Sequence, residues 1–223
     1  MASLTSASTY SKVAYDYILD ALQRGAFVPG QDISEATIAA TLDISRVPVR
    51  EAIIRLQNEG YLDIFPKKGT FVAKYSFHEI LDIYNIRLAQ EPQFIARSCE
   101  DLLPAEIEKL REFRAYNQKY INNTSHVVQS GEFFVQDINL HLFLFTLPKS
   151  NFFEQISTMA LTRCIIAKAG IYHRLKTVHS DIAIAHIQLI DALCDGNKIA
   201  VEQAMYAHLS KIRDDLVNYY TKR

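Results

Sequence analysis

Seven glycines and six prolines are the whole complement of backbone breakers in 223 residues. Such scarcity favours long, uninterrupted helices, because these two residues are the ones that most reliably end them. From Tyr10 to about Lys74 the pattern is nonetheless short and punctuated. A helix over Tyr10–Arg24 ends at Gly25, and Phe27-Val28-Pro29-Gly30 reads as a turn. Ser34 suits the N-cap of a short helix over Glu35–Leu42, and Ser45 suits the cap of a third helix that runs to Asn58 and stops at Gly60. The period then changes from helical to alternating. Tyr61–Phe65, the turn Pro66-Lys67-Lys68-Gly69, and Thr70–Ala73 predict a hairpin. Three short helices followed by a two-stranded ribbon make a winged helix-turn-helix.

After Tyr75-Ser76 the sequence reads as six helices: Phe77–Glu100 with Pro92 inside it, Pro104–Asn122, Val127–Leu147, Asn151–Leu175, Val178–Cys194 and Asn197–Thr221. Pro104 fits a first helical turn, and Asp195-Gly196-Asn197 is a stop and restart between antiparallel neighbours. The expected chain is mostly α. It has a disordered N-terminal tail (1–8), a winged helix-turn-helix (9–74), a linker (75–76) and an all-α antiparallel helical bundle (77–223).

Composition narrows the setting. Twelve Phe and twelve Tyr with 22% charged residues argue against disorder. No stretch approaches the ~20 apolar residues of a membrane helix, and Met1–Thr9 lacks the basic start and apolar run of a secretory signal. Cys99, Cys164 and Cys194 are odd in number and form no CxxC pair, which predicts free thiols in a reducing cytoplasm.

Ser45-Arg46-Val47-Pro48-Val49-Arg50-Glu51-Ala52 is the most informative run. Val49, Ala52, Ile53 and Leu56 form an apolar face. Arg46 and Arg50, one turn apart, project together from the N-terminal half of the helix. That half of a recognition helix enters the major groove, and arginine is shaped to grip guanine O6 and N7 together. Lys67 and Lys68 at the hairpin tip are placed for phosphates or a minor groove. Residues 1–75 hold eight Lys/Arg against eight Asp/Glu, so the reading rests on clustering of charge rather than on net charge.

In the second zone, Asp137 and His141 lie one turn apart, and His186 and His208 flank the Asp195–Asn197 stop. If those two helices pack antiparallel, the imidazoles come level. Neutral imidazole and carboxylate are ligands for zinc, manganese, nickel or iron, with positions left open for water or an organic acid. Each of these histidines also fits a hydrogen-bonded interior residue. His179, seven residues before His186 and on roughly the same face, is a competing ligand.

The run Pro29-Gly30, Ile33-Ser34-Glu35, Ser45-Arg46-x-Pro48-Val49-Arg50-Glu51-Ala52, Leu56, Glu59-Gly60 and Lys68-Gly69-Thr70-Phe71-Val72 closely resembles the DNA-binding domain of GntR-family bacterial transcription regulators. The resemblance implies a DNA-contact set of Ser34, Ser45, Arg46, Pro48, Arg50, Lys67, Lys68 and Gly69. Ala36 stands where many relatives carry arginine. Residues 77–220 look like the FCD effector domain of the FadR-type subfamily, on Asp137-x3-His141, His186 before Gly196-Asn197, and Ala204-x3-His208. That resemblance implies a divalent metal, zinc first, on Asp137, His141, His186 and His208. It also implies a small carboxylate effector near Arg87 of an Arg-x3-Glu motif. The other reading of Arg87 is an intrahelical pair with Glu91. Ala185 replaces the acidic residue that many relatives carry before the histidine.

The expected protein is a cytoplasmic, homodimeric, ligand-responsive transcription regulator, a repressor and not an enzyme, on pseudo-palindromic double-stranded DNA. Its rivals are a His3Asp hydrolase and a regulator whose metal is purely structural.

Overall fold

The computed structural model describes the backbone of residues 2–122, 130–169 and 179–221, and the side chains of 9–121, 132–169 and 180–221. Contacts divide it into two compact units. The first comprises Met1–Ser76 with Leu161–Tyr172, and the second comprises Phe77–Ala160 with His173–Arg223.

The first unit begins with α1 (Ala2–Gln23), followed by α2 (Glu35–Leu42), α3 (Arg46–Asn58) and the hairpin β1 (Leu62–Phe65) and β2 (Gly69–Val72). Helix α1 starts eight residues before the expected Tyr10, within the stretch read as a tail. Neither glycine nor proline precedes Tyr10, so nothing in the local chemistry halts the helix there. Ala14, Ile18 and Leu22 on α1 are fully buried, as are Val49, Ala52, Ile53 and Leu56 on α3. Their spacing gives each helix a single apolar stripe, and packing these stripes together forms the core of the unit.

The Ser34 hydroxyl accepts from the Thr37 amide at 3.3 Å, as expected of an N-cap. Ser45 occupies the cap position of α3 without a side-chain capping bond. β1 and β2 pair antiparallel, Leu62 opposite Val72 and Phe65 opposite Gly69. The Ile33 amide donates to Thr70 O at 2.8 Å and the Gly30 amide to Val72 O at 2.8 Å, so the segment before α2 lies along the free edge of β2. The end of α3 is also tied down. Gly60 takes φ +79°, Arg163 donates to Glu59 O at 2.8 Å, and Tyr75 donates to Gly60 O at 2.6 Å.

The second unit consists of α4 (Phe77–Arg97), a 3-10 turn (Ser98–Glu100), α5 (Pro104–Asn122), α6 (Ser130–Thr146), the first half of α7 (Asn151–Ala169), α8 (His179–Cys194) and α9 (Lys198–Thr221). The helix expected through Glu100 tightens to 3-10 geometry after Arg97, and Pro92 lies inside α4. The expected starts of α6 at Val127 and α8 at Val178, and the expected end of α7 at Leu175, lie outside the described residues. Helices α4 and α9, α5 and α8, and α8 and α9 are packing neighbours. Gly196, at φ +68°, makes the reversal between α8 and α9. Among the described residues, no helix is long and apolar enough to cross a membrane.

Leu56 has no solvent exposure. Leu56→Ala is expected to lower stability by ~2–5 kcal/mol, since it removes buried methyl groups and leaves a cavity. Urea denaturation followed by circular dichroism measures this.

Candidate metal centre and nucleic-acid surface

Helix α6 carries Asp137 and His141 on one face because they are four residues apart. Helix α8 brings His186, and α9 brings His208 from across the Gly196 reversal. The three imidazoles are almost completely buried, at 2%, 1% and 3% exposure for His141, His186 and His208. Asp137 retains 17%.

His141 Nε2 and His208 Nε2 are 3.1 Å apart. Asp137 Oδ1 lies 3.2 Å from His186 Nε2 and 3.9 Å from His141 Nε2. One ligand atom from each of the four residues lies within 4.8 Å of all the others. A tetrahedral set at the Zn–N distance of ~2.1 Å would place ligand atoms ~3.4 Å apart, a value these pairs bracket. Burial, followed by the neighbouring His186 and His141, holds the His208 pKa well below the ordinary value of 6.5. A proton is therefore disfavoured there and a lone pair is retained. His186 Nε2 is buried and makes no hydrogen bond. Imidazole nitrogens and a carboxylate oxygen gathered this closely in a dry interior are the donor set a divalent ion takes, so these residues fit one. The cluster is able to hold a metal ion. His179 lies outside the described side chains.

Arg87, the expected effector contact, is 2% exposed and forks onto Glu91, which is fully buried. The Nε–Oε1 distance is 2.6 Å and the Nη2–Oε2 distance is 3.1 Å. The intrahelical pair therefore forms. The positive charge of Arg87 also contributes to lowering the His208 pKa, so its field reaches the imidazole cluster.

In the first unit, Ser45, Arg46, Arg50, Lys67, Lys68 and Gly69 are exposed and Ser34 is partly exposed. Pro48, unlike the rest of the expected set, is buried. Its part is to set the first turn of α3 rather than to present a surface atom. Arg50 is 63% exposed yet engaged by Glu35 of α2, with Nε–Oε1 at 3.1 Å and Nη2–Oε2 at 2.9 Å. Arg55, further along α3, stacks 3.9 Å over the Tyr15 ring and donates to Glu59. Sequence reasoning missed the Glu35–Arg50 fork, because the partners are fifteen residues apart on different helices. It also missed Asn117, whose Oδ1 meets His186 Nδ1 at 3.1 Å.

The family model for bacterial regulatory proteins of the gntR family matches residues 10–72, and the FCD domain model matches residues 82–211. The chain belongs to the GntR family of transcription regulators, in the branch whose second domain is FCD. It is 26% identical to the Nta operon transcriptional regulator of Aminobacter aminovorans, over 86% of this chain and 87% of that protein. It is 25% identical to the transcriptional repressor RspR of Escherichia coli, over 84% and 80% of the two chains. The solved structure of McbR/YncC of Escherichia coli aligns with a TM-score of 0.83 at 18% identity, over 95% of this chain and 98% of that one, a likeness of fold.

The wing tip has a stability consequence. Lys68 N donates to Phe65 O at 3.0 Å, closing a β-turn around Pro66 and Lys67. Lys67 sits at φ +65°, in the left-handed region. Side chains with a Cβ are strained there and glycine is not. Lys67→Gly is expected to raise stability by ~0.5–1 kcal/mol, read as an increased melting temperature.

Proposed function

We propose that this regulator is a cytoplasmic homodimeric repressor, released or engaged by a small organic acid that binds beside a divalent metal in the FCD domain. The observation that carries the reading is the buried convergence of Asp137, His141, His186 and His208 in a chain that also has a winged helix-turn-helix. The repressor name of the Escherichia coli relative supports the direction of regulation.

In this reading α3 enters the major groove, with Arg46 and Arg50 at its N-terminal end. Lys67, Lys68 and Gly69 meet the backbone or minor groove, and Ser34 and Ser45 offer hydroxyls to phosphates. A dimer would place two such helices on a pseudo-palindromic site.

Asp137, His141, His186 and His208 would hold the ion, with zinc the leading candidate and nickel, manganese or iron the others. When bound, the ion supplies an electrophilic centre for an acid's carboxylate. Arg87 supplies the buried positive charge that a second carboxylate oxygen would seek, sharing or exchanging Glu91. Control then follows from linkage: an acid that binds the DNA-competent and DNA-incompetent dimers unequally shifts their populations by that difference.

The test begins with metal analysis of the purified protein and selection of bound duplexes from a random-sequence pool. Candidate acids are then titrated against the protein–DNA complex. Arg50→Ala is expected to leave the fold intact and reduce discrimination between selected and scrambled duplexes by ~1–3 kcal/mol. The double variant His186→Ala, His208→Ala is expected to lose the ion and the acid response while keeping DNA binding. Melting of the second domain on chelation, with no acid changing DNA affinity, would favour a purely structural metal. Unchanged affinity of metal-loaded protein with every acid that binds it would end the proposal of acid control.

A further inference from the structure

Asn117, on α5, is 4% exposed. Its Nδ2 donates to Phe113 O, one turn earlier on the same helix, at 2.9 Å. A carbonyl oxygen only accepts, so this bond fixes which end of the amide faces which way: nitrogen toward its own helix and Oδ1 toward α8. Oδ1 lies 3.1 Å from His186 Nδ1. An amide oxygen also only accepts, so the imidazole carries a proton on Nδ1, and its neutral form is the Nδ1–H tautomer. In that tautomer the lone pair is on Nε2, the atom 3.2 Å from Asp137 Oδ1. The amide therefore dictates both the tautomer and the ring orientation of His186.

We propose that Asn117 is the positioning residue of the metal site, locking His186 as its Nδ1–H tautomer so that Nε2 is presented to the ion. This inference rests on reading the four-residue cluster as a metal centre. A ligating histidine needs a hydrogen-bond partner on its other nitrogen to fix the ring and raise its basicity. The residue before His186 is Ala185, which has no polar group to offer. Support comes instead from α5, 69 residues away in the chain. Asn117 presents its oxygen without adding negative charge beside Asp137, so the net charge of the donor set is left unchanged.

The experiment uses the full-length protein with Asn117→Leu, which matches the side chain in size but accepts no hydrogen bond, and Asn117→Asp, which still accepts one. Zinc(II) and cobalt(II) affinities are measured by competition with a chromophoric chelator. Nitrogen-15 imidazole NMR of the metal-free protein reports the His186 tautomer. Asn117→Leu is expected to weaken metal binding ~10–100-fold and to mix the tautomers, while Asn117→Asp keeps the Nδ1–H form and wild-type affinity or better. A residue serving only to fill space would lower the melting temperature of the leucine variant without moving affinity or tautomer, and that result overturns the proposal. If Asn117→Leu fails to fold, the wild-type and aspartate spectra decide: a His186 that carries its proton on Nε2 with none on Nδ1 in either overturns the assignment. Wild-type protein that takes up neither ion defeats the metal reading itself, while its tautomer spectrum still decides whether Asn117 orients His186.

Discussion

The burial of four polar side chains at one point is the constraint on which the second unit turns. Three imidazoles and a carboxylate are expensive to bury, and their ring nitrogens and carboxylate oxygen need protons or a cation between them to offset that desolvation. Leu140 and Leu144 on α6, Leu189 and Ile190 on α8, and Met205 and Leu209 on α9 are all fully buried. They supply the packing that sets those helices in place. The polar cluster is thus a local violation of an otherwise consistent apolar interior, and violations of this kind are expected at functional sites. The Arg87–Glu91 pair is a second such violation, fully desolvated and answered by its own counter-charge.

Local chemistry accounts for what was legible in the sequence. Asp137 and His141 share a face because four residues separate them on one helix, and His186 and His208 meet because a Gly196 reversal stands about midway between them. Both inferences need only helical periodicity and one turn. The hairpin likewise follows from an alternating pattern around Pro66–Gly69. Long-range partners were not legible. Asn117 meets His186, and Glu35 meets Arg50, only after helices distant in sequence have packed. No periodicity encodes those meetings. The start of α1 was missed for another reason: a serine- and threonine-rich stretch has weak helix propensity but no breaker, and weak preferences are overridden easily.

The arginines of the first unit show how charge counting misleads. An even balance of acidic and basic residues gave no sign of a DNA-binding face. The structure explains part of the cancellation. Glu59 is occupied by Arg55 and Tyr15, and Glu35 is occupied by Arg50. These carboxylates organise cations more than they oppose a nucleic acid. Arg46, Lys67 and Lys68 remain exposed around α3 and the wing. Local arrangement, rather than the sum of charges, determines what a phosphate backbone would meet.

In the proposed DNA-binding role of Arg50, Glu35 plays the part proposed for Asn117 at the imidazole cluster, since each carboxylate or amide holds a neighbouring side chain in one orientation. An unattached arginine side chain loses rotamer freedom when it docks on a base edge. A fork through Nε and Nη2 removes much of that freedom beforehand and leaves Nη1 directed away from the carboxylate. The same carboxylate adds a negative charge near a DNA surface, which weakens non-specific attraction to phosphates. With Arg50 in the proposed base-reading role, the fork would favour the matched site through pre-orientation, while the carboxylate's repulsion acts on matched and unmatched duplexes alike.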